Sequence, residues 1–248
     1  MQNLKDIKIA IIGLGYVGMP LAIEFSKKFD VIGFDIDENR INNLKLGFDS
    51  TLELSDEDLE ILKNINLTNQ LDELKSANTY IVTVPTPIDE SNKPDLSPLI
   101  NASKMIASVI KKDDIVIYES TVYPGATEED CIPIIENNSG LKFNKDFFAG
   151  YSPERINPGD KTRKLSSIVK VTSGSTAKIA ELINNLYKSI ITAGTFRASS
   201  IKIAESSKLI ENVQRDVNIA LVNEFFQIFS NLGLDTDEII EAASTKWN

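Results

Sequence analysis

Apolar and polar positions along the chain fall into two alternating rhythms. Continuous apolar runs recur at Ile9-Ala10-Ile11-Ile12, Val31-Ile32-Gly33-Phe34, Tyr80-Ile81-Val82-Thr83-Val84 and Ile115-Val116-Ile117-Tyr118. Short runs of this kind predict strands covered on both faces, as in a parallel sheet. Between them the apolar positions take helical spacing, as in Leu21, Ala22 and Phe25, or Ile41 and Leu44. The expected elements are a strand at 7–12, a helix over 16–28, a strand at 31–35, and a helix opened by Asp37 and stopped at Gly47. Ser55-x-x-Asp58 reads as an N-cap with an acid three residues on, opening a short helix through Leu62. A brief strand at Leu67 and the strand 80–84 follow, and Pro85-Thr86-Pro87 breaks the latter sharply. Beyond a polar loop at 89–95, the pattern predicts a helix over 96–111, a strand at 115–118, a turn at 121–125 and a helix over 124–136. Strands ending at Gly150, at 168–171 and at 190–192, with a helix over 175–187, complete the alternation. Strand and helix in strict succession specify an α/β fold with a doubly wound parallel sheet.

From 199 to 232 the rhythm changes to one long helix. Ile210, Val213, Val217, Ala220, Leu221 and Ile228 form an apolar arc, with Glu205, Lys208, Asn212, Arg215 and Asp216 opposite. Gly233 ends it, and Asp235 starts a short helix ending near Ala243. The expected division is therefore 1–198, an α/β domain, and 199–248, a long connecting helix and the beginning of what comes next. The only tryptophan sits one residue from the end, with no polar tail. The expectation is that the source gene continues beyond Asn248.

The first strand ends in Gly13-Leu14-Gly15-Tyr16-Val17-Gly18, and the second in Asp35. Gly13 permits a tight turn, Gly15 lets a pyrophosphate approach the backbone, and Gly18 lets the helix pack closely on the sheet. The helix opening at Tyr16 and Val17 presents free N–H groups and a positive dipole end to phosphate. Asp35 stands about 20 residues on, where a dinucleotide fold places the acid that binds the ribose hydroxyls. A carboxylate there repels a 2′-phosphate. The motif in this context points to a Rossmann-like domain binding NAD rather than NADP; the competing reading is a glycine-rich turn in another α/β domain.

Composition narrows the chemistry. The chain has 248 residues, a net charge of −10, no histidine and one cysteine. With no Lys/Arg cluster to offset the acidity, nucleic acid is not an expected partner. No apolar run approaches a membrane span and no signal-peptide core is present, so a cytoplasmic location is expected. Without histidine, no His base, Ser-His-Asp triad or His metal site can form within the chain, and one cysteine cannot build a structural zinc site. Cys131, in Glu128-Glu129-Asp130-Cys131, has acidic neighbours that disfavour a thiolate, so it reads as structural.

Several segments together resemble the UDP-sugar 6-dehydrogenases of the UDP-glucose/GDP-mannose dehydrogenase family. They are Gly13 to Ala22, Val84-Pro85-Thr86-Pro87, Glu119-Ser120-Thr121-Val122-Tyr123-Pro124-Gly125, Ser152-Pro153-Glu154-Arg155-Ile156-Asn157-Pro158-Gly159, and Ala204-Glu205-x-x-Lys208-x-x-x-Asn212. The resemblance spans essentially the whole chain. It implies a double oxidation of a sugar C6 hydroxymethyl to a carboxylate, with two NAD reduced and the aldehyde held on a cysteine as a thiohemiacetal, then a thioester. In the family that cysteine lies in a Gly-rich loop downstream of the long helix, so it is expected after Asn248. The resemblance also implies an α-helical central domain that begins at 199 and a homodimer through the long helix. The second acid that glucose-type enzymes carry in the Pro-Glu motif is replaced here by Pro158. The motif thus looks closer to members acting on UDP-N-acetylhexosamines that feed capsule or O-antigen synthesis. The alternatives are a UDP-glucose dehydrogenase and a non-catalytic NAD-binding module.

The resemblance assigns residue roles one at a time. Lys208 and Asn212, spaced i, i+4, share a helix face; they are either a solvated stripe or the donors that stabilise the alkoxide and tetrahedral oxyanions while contacting substrate. Thr121 is either a turn cap or the threonine that positions a catalytic water beside the cofactor. Glu154 is either a surface acid or a substrate-contacting general base for thioester hydrolysis. Pro85, Thr86 and Pro87 are expected to shape the cofactor pocket. Arg40 either flanks the adenosine or is an exposed helix arginine. Arg155 and Lys161 are candidate contacts to the anionic end of the substrate.

Overall fold

The apolar runs form a six-stranded parallel sheet in the order β3-β2-β1-β4-β5-β6. Its strands are β1 (Lys8–Ile12), β2 (Asp30–Phe34), β3 (Asn66–Thr68), β4 (Thr79–Val82), β5 (Ile115–Tyr118) and β6 (Phe148–Tyr151). The computed structural model describes residues 4–157, 159 and 164–247. Lys161 and Pro158 lie outside the described residues. The chain divides into two units, Met1–Lys208 and Leu209–Asn248.

Successive residues of β1 face opposite sides of the sheet, which explains the unbroken apolar run. Ala10 and Ile12 join one buried cluster, with Tyr80, Val116 and Phe147. Ile9 and Ile11 join a second on the other face, with Phe25, Ile117, Ile183 and Tyr187. Helices α4 (Ser97–Ala107) and α5 (Ile132–Ser139) contribute Leu99, Ile106 and Ile135 to the first cluster. Helices α1 (Gly18–Ser26), α2 (Glu38–Lys45), α3 (Asp56–Leu62) and α6 (Ala177–Lys188) contribute Phe25, Ile41, Leu62 and Ile183 to the second. Fully burying an Ile or Leu side chain stabilises by about 1.5–3 kcal/mol, so these two layers hold the sheet in place. The strand order reverses between β1 and β4. That switch point, at the carboxyl ends of the strands, is where open α/β sheets form their ligand crevice.

Local signals account for most boundaries. Ser55 caps α3 through the reciprocal box with Asp58, Asp37 caps α2 by accepting from the Asn39 amide, and Thr176 caps α6 by accepting from the Ile179 amide. The helix expected over 124–136 forms with a shifted start: it opens as a π-helical stretch at Thr127–Cys131 and continues directly into α5. Pro133 sits in the first turn of α5 and has no N–H to continue a regular ladder back through the preceding residues. The strand expected at 190–192 does not form. The amides of Ile190 and Ile191 both donate to the Tyr187 carbonyl, extending the exit from α6. Burial of their side chains gave the apolar signal. The strand comes later and is largely exposed: β8 (Thr195–Arg197) pairs in parallel with β7 (Lys170–Thr172). Side chains tie β7 to β6, where Ser152 Oγ donates to the Val171 carbonyl at 2.7 Å and Ser173 Oγ to the Tyr151 carbonyl at 2.7 Å.

The long helix α7 runs Ile201–Asn231. Glu205, expected on its polar face, is fully buried, because its carboxylate accepts from the Gly125 amide at 2.6 Å and the Thr127 amide at 3.0 Å. In the second unit, Asp235 caps α8 (Thr236–Ser244), and Ile210, Val213, Val217, Leu221 and Ile228 of the apolar arc are all exposed.

Cys131 is buried. Burial, with the charges of Asp130 and Glu205, pushes its thiol up to about 11, against the hydrogen bonds of Ser103 and Tyr118. A thiol so placed is overwhelmingly protonated at neutral pH and shielded from reagent. Labelling of the native chain with a thiol-disulfide dye at pH 8 is expected to be at least about 100-fold slower than after denaturation; rapid native labelling contradicts this placement.

Candidate functional site

A cleft of about 480 Å³ opens at the switch point. The glycine turn forms one wall, the segment 83–87 after β4 another, and Glu119 to Thr121 after β5 the floor. The turn is anchored at both ends. The Gly13 amide donates to the Phe34 carbonyl at 2.8 Å, and the Thr83 hydroxyl donates to the Gly13 carbonyl at 2.7 Å. Gly13 takes φ +95, a conformation open to glycine but costly for residues with a Cβ. A Cβ on Gly18 would stand 1.9 Å from the Gly13 carbonyl oxygen and 2.5 Å from Thr83 Oγ1, so only glycine lets α1 start this close to the strand. A Cβ on Gly15 would meet nothing within 4 Å, since this residue borders the open cleft. The amides of Gly15, Tyr16 and Val17 make no hydrogen bond to another described residue. They stand ahead of the first turn of α1, where orphan donors and the helix dipole favour an anion.

Asp35 follows β2 directly and lines the same cleft. Its Oδ2 accepts from the Leu14 amide at 2.8 Å and its Oδ1 from the Asp37 amide at 2.9 Å. The carboxylate is thereby fixed beside the glycine turn, with lone pairs remaining for a diol. Anion-seeking amides at one end of an open cleft and an oriented carboxylate at the other fit a pyrophosphate and a ribose, the parts of a dinucleotide that a Rossmann crevice holds.

Arg40 is buried rather than exposed. Its Nε donates to the Leu14 carbonyl at 2.8 Å, Nη1 donates to Ser50 Oγ at 3.0 Å, and Nη2 pairs with Asp49 Oδ1 at 2.8 Å. It does not line the cleft; it braces the glycine turn from behind. Burial alone would raise the Asp49 carboxyl, but hydrogen bonds from Thr51, Arg40 and the Thr51 and Leu54 amides outweigh it and hold it below the usual carboxylate range.

The structure brings Pro85, Thr86, Thr121 and Glu154 together on the cleft wall, with Tyr16 opposite. Thr86 Oγ1 donates to the Thr121 carbonyl at 2.6 Å, and Ser120 Oγ donates to the Val84 carbonyl, so the loops after β4 and β5 are laced to each other. Burial, then the charges of Glu154 and Glu53, raise the Tyr16 phenol, which therefore stays protonated. Glu154 is buried. Its Oε1 accepts from the Ile156 amide and its carbonyl accepts from Lys208 Nζ on α7. Arg155 points elsewhere, with Nη1 donating to the Val169 carbonyl at 2.9 Å. Asn212 belongs to the second unit, where its side-chain oxygen accepts from Arg215 Nη2 at 2.7 Å.

The residues that sequence reasoning left without a role lie under the floor. Glu119 and Lys170 pair at 2.6 Å with side chains 0% and 2% exposed, and the Tyr187 hydroxyl donates to the other Glu119 oxygen. Lys170 also donates to the Pro153 carbonyl at 3.2 Å and stands 3.9 Å from Glu154 Oε2. Burial and the Glu154 charge push the Glu119 carboxyl up while the Lys170 ammonium pulls it down. One signal was available: Lys170 interrupts the apolar segment Ile168 to Val171 and Glu119 ends the run Ile115 to Tyr118. Opposite charges embedded in strands demand partners. Glu205 and Thr83 were likewise without a role, since only the folded contacts reveal theirs.

Comparison with known proteins agrees with this geometry. The profile described as the UDP-glucose/GDP-mannose dehydrogenase family, NAD binding domain, matches residues 7–191, and that of the family's central domain matches 202–248. The chain is 62% identical to a UDP-N-acetyl-D-glucosamine 6-dehydrogenase of Pseudomonas aeruginosa, over 99% of this chain and 58% of that protein. It is 55% identical to one of the same name from Salmonella typhi, over 100% of this chain and 58% of that protein. Among solved structures, a UDP-D-ManNAc dehydrogenase from Pyrococcus horikoshii superposes with TM-score 0.90 at 35% identity, covering 98% of this chain and 58% of that one. The chain thus spans about 58% of the length of the curated relatives it matches.

The Arg40–Asp49 brace carries a stability prediction. Removing one partner of a buried pair strands the other charge. Asp49→Asn is expected to destabilise the chain by about 2–4 kcal/mol at pH 7. Because the folded carboxyl sits below its unfolded value, this stabilisation is fully present above the ordinary carboxylate value of about 4 and is lost as pH falls through the folded value. Denaturant titrations of both chains should converge at low pH; a difference independent of pH, or none at pH 7, contradicts the brace.

Proposed function

The chain belongs to the UDP-glucose/GDP-mannose dehydrogenase family, and we propose that its cleft oxidises the C6 hydroxymethyl of a UDP-N-acetylhexosamine, UDP-N-acetylglucosamine in particular, with NAD as the oxidant. The observation that carries the reading is the glycine turn: three open amides beside an oriented carboxylate, with Glu154 lining the same cleft and Lys208 bonded to the Glu154 carbonyl. The two relatives quoted by name support the sugar. The overall change is R–CH2OH + 2 NAD+ + H2O → R–COO− + 2 NADH + 3 H+.

When bound, the coenzyme would supply a hydride acceptor. The amides of Gly15, Tyr16 and Val17 would hold its pyrophosphate and Asp35 its ribose diol, with Val84 to Thr86 lining the same cleft. Lys208 provides an ammonium beside the Glu154 carbonyl, placed to stabilise the alkoxide that forms at C6. Thr121 orients a water, and Glu154 accepts the proton of that water when the oxidised carbon is hydrolysed. Asn212 as a second donor to the oxyanion, Arg155 and Lys161 as contacts to the anionic end, and a homodimer through α7 rest on the sequence resemblance alone. Arg40 acts behind the turn rather than on the coenzyme. The covalent thiol that the two-step scheme needs is not Cys131, which is buried and protonated.

Calorimetry on this chain should give NAD binding at least about tenfold tighter than NADP, a gap of roughly 1.4 kcal/mol, since Asp35 repels a 2′-phosphate; the reverse order removes Asp35 from its role. The chain joined to the remaining length its relatives have should yield about two NADH per UDP-N-acetylglucosamine through a covalent intermediate. One NADH per sugar, or preference for UDP-glucose, contradicts the proposal. Lys208→Ala in that protein is expected to lower kcat by about 10²–10³-fold.

A further inference from the structure

The buried pair under the floor of the cleft has no counterpart in the mechanism above. Glu119 and Lys170 are 1% and 2% exposed as whole residues; Glu119 follows the end of β5, Lys170 opens β7, and the two side chains meet at 2.6 Å. Apolar residues of the same volume commonly hold two elements together as well as a buried ion pair does. A buried pair beside a cleft therefore calls for a reason beyond stability. Its bonding supplies one. The Lys170 ammonium spends one donor on Glu119 Oε2 at 2.6 Å and another on the Pro153 carbonyl at 3.2 Å. At the next peptide group, Lys208 donates to the Glu154 carbonyl. Two ammonium groups thus grip consecutive carbonyls of Pro153 and Glu154. The Glu154 carboxylate is held between the Ile156 amide at Oε1 and the Lys170 charge, 3.9 Å from Oε2, an oxygen that is buried and has no hydrogen-bond partner among the described residues. Tyr187, from α6, donates to Glu119 and lies with its ring 5.7 Å below the ammonium, which fixes the anchor itself.

We propose that Glu119 and Lys170 are a positioning pair: Glu119, aimed by Tyr187, anchors the Lys170 ammonium, and the ammonium sets where the Pro153–Glu154 main chain and the Glu154 carboxylate stand in the cleft. Among the described residues, the charged and titratable groups around Glu154 are Tyr16 from the glycine turn, Glu119 after β5, Lys170 on β7, Tyr187 on α6 and Lys208 on α7. Lys170 is the one cation among them that touches both the anchor and the Glu154 segment. The proposal deepens the assignment of Glu154 as the base and rests on it for its meaning, but its test reads the position of the carboxylate directly.

The reporter is the Ile156 amide, because a main-chain N–H bonded to a carboxylate resonates at low field and moves when the carboxylate leaves. Amide spectra of the 15N-labelled chain are compared for the wild type, Glu119→Gln, and the neutral pair Glu119→Gln/Lys170→Met, in which no buried charge is left unpaired. The Ile156 amide is expected to lose its low-field position in both variants, although the neutral pair recovers the melting temperature lost by Glu119→Gln. Where Glu119→Gln does not fold, the neutral pair decides. An Ile156 amide that keeps its position in a folded variant overturns the proposal. In the chain joined to the remaining length of its relatives, the neutral pair should lower kcat by about 10- to 100-fold with KM for NAD within about threefold. A neutral pair that restores kcat together with melting temperature shows a purely structural role and also overturns it. Glu154→Gln separates the two ideas: unchanged turnover there removes the base assignment and leaves the amide result standing.

Discussion

The approach of Gly18 to the Gly13 carbonyl, closer than any side chain allows, is the constraint on which the rest of the cleft depends. It lets α1 start directly above the end of β1, so the helix dipole and the unbonded amides of Gly15 to Val17 lie over the switch point of the sheet. The turn cannot hold this shape unaided, since Gly13 and Gly18 weaken it entropically. It is bonded on every side. Phe34 accepts from Gly13, Thr83 donates to Gly13, Asp35 accepts from Leu14, and Arg40 donates to Leu14 from behind. Three of these partners come from β2 or the residues after it, and the fourth from the end of β4. The two strands that flank β1 therefore shape the turn as well as pack against it.

The same logic extends along the carboxyl edge. The loops after β4 and β5 are laced by Thr86 and Ser120, and the Thr121 loop is tied to α7 through the buried carboxylate of Glu205. Lys208 follows one turn later on α7 and reaches the Glu154 carbonyl. Residues from four separate stretches of chain are thus laced along one edge, because each stretch is bonded to its neighbour's backbone. Preorganised donors of this kind cost little reorganisation when charge develops beside them.

Much of this was legible in the sequence. The unbroken apolar runs gave four central strands because both faces of a parallel sheet are covered, and the Gly13-x-Gly15-x-x-Gly18 spacing with Asp35 located the cleft. The Ser55–Asp58 box is a purely local interaction and forms as expected. Where burial and secondary structure part company, the pattern misled: Ile190 and Ile191 are apolar because they cover the sheet, yet they continue the exit from α6, and the neighbouring strand, Thr195-Phe196-Arg197, is too short and too exposed to give an apolar run. Glu205 and Arg40 were misplaced for a related reason. Glu205 was expected on a wet face and Arg40 either beside the adenosine or exposed, and each is buried because it satisfies main-chain groups that the sequence gives no means of pairing in advance. The Glu119–Lys170 pair depends on strands more than 50 residues apart meeting, which no local pattern encodes.

The account stands or falls on whether the open amides of the glycine turn receive the diphosphate of the coenzyme. The most direct measurement is a titration of the 15N-labelled chain with NAD, followed amide by amide. The largest and earliest shifts are predicted at Gly15, Tyr16 and Val17, with Leu14 moving as Asp35 engages the ribose. Saturable binding that leaves those amides unmoved and shifts residues elsewhere in the chain contradicts it.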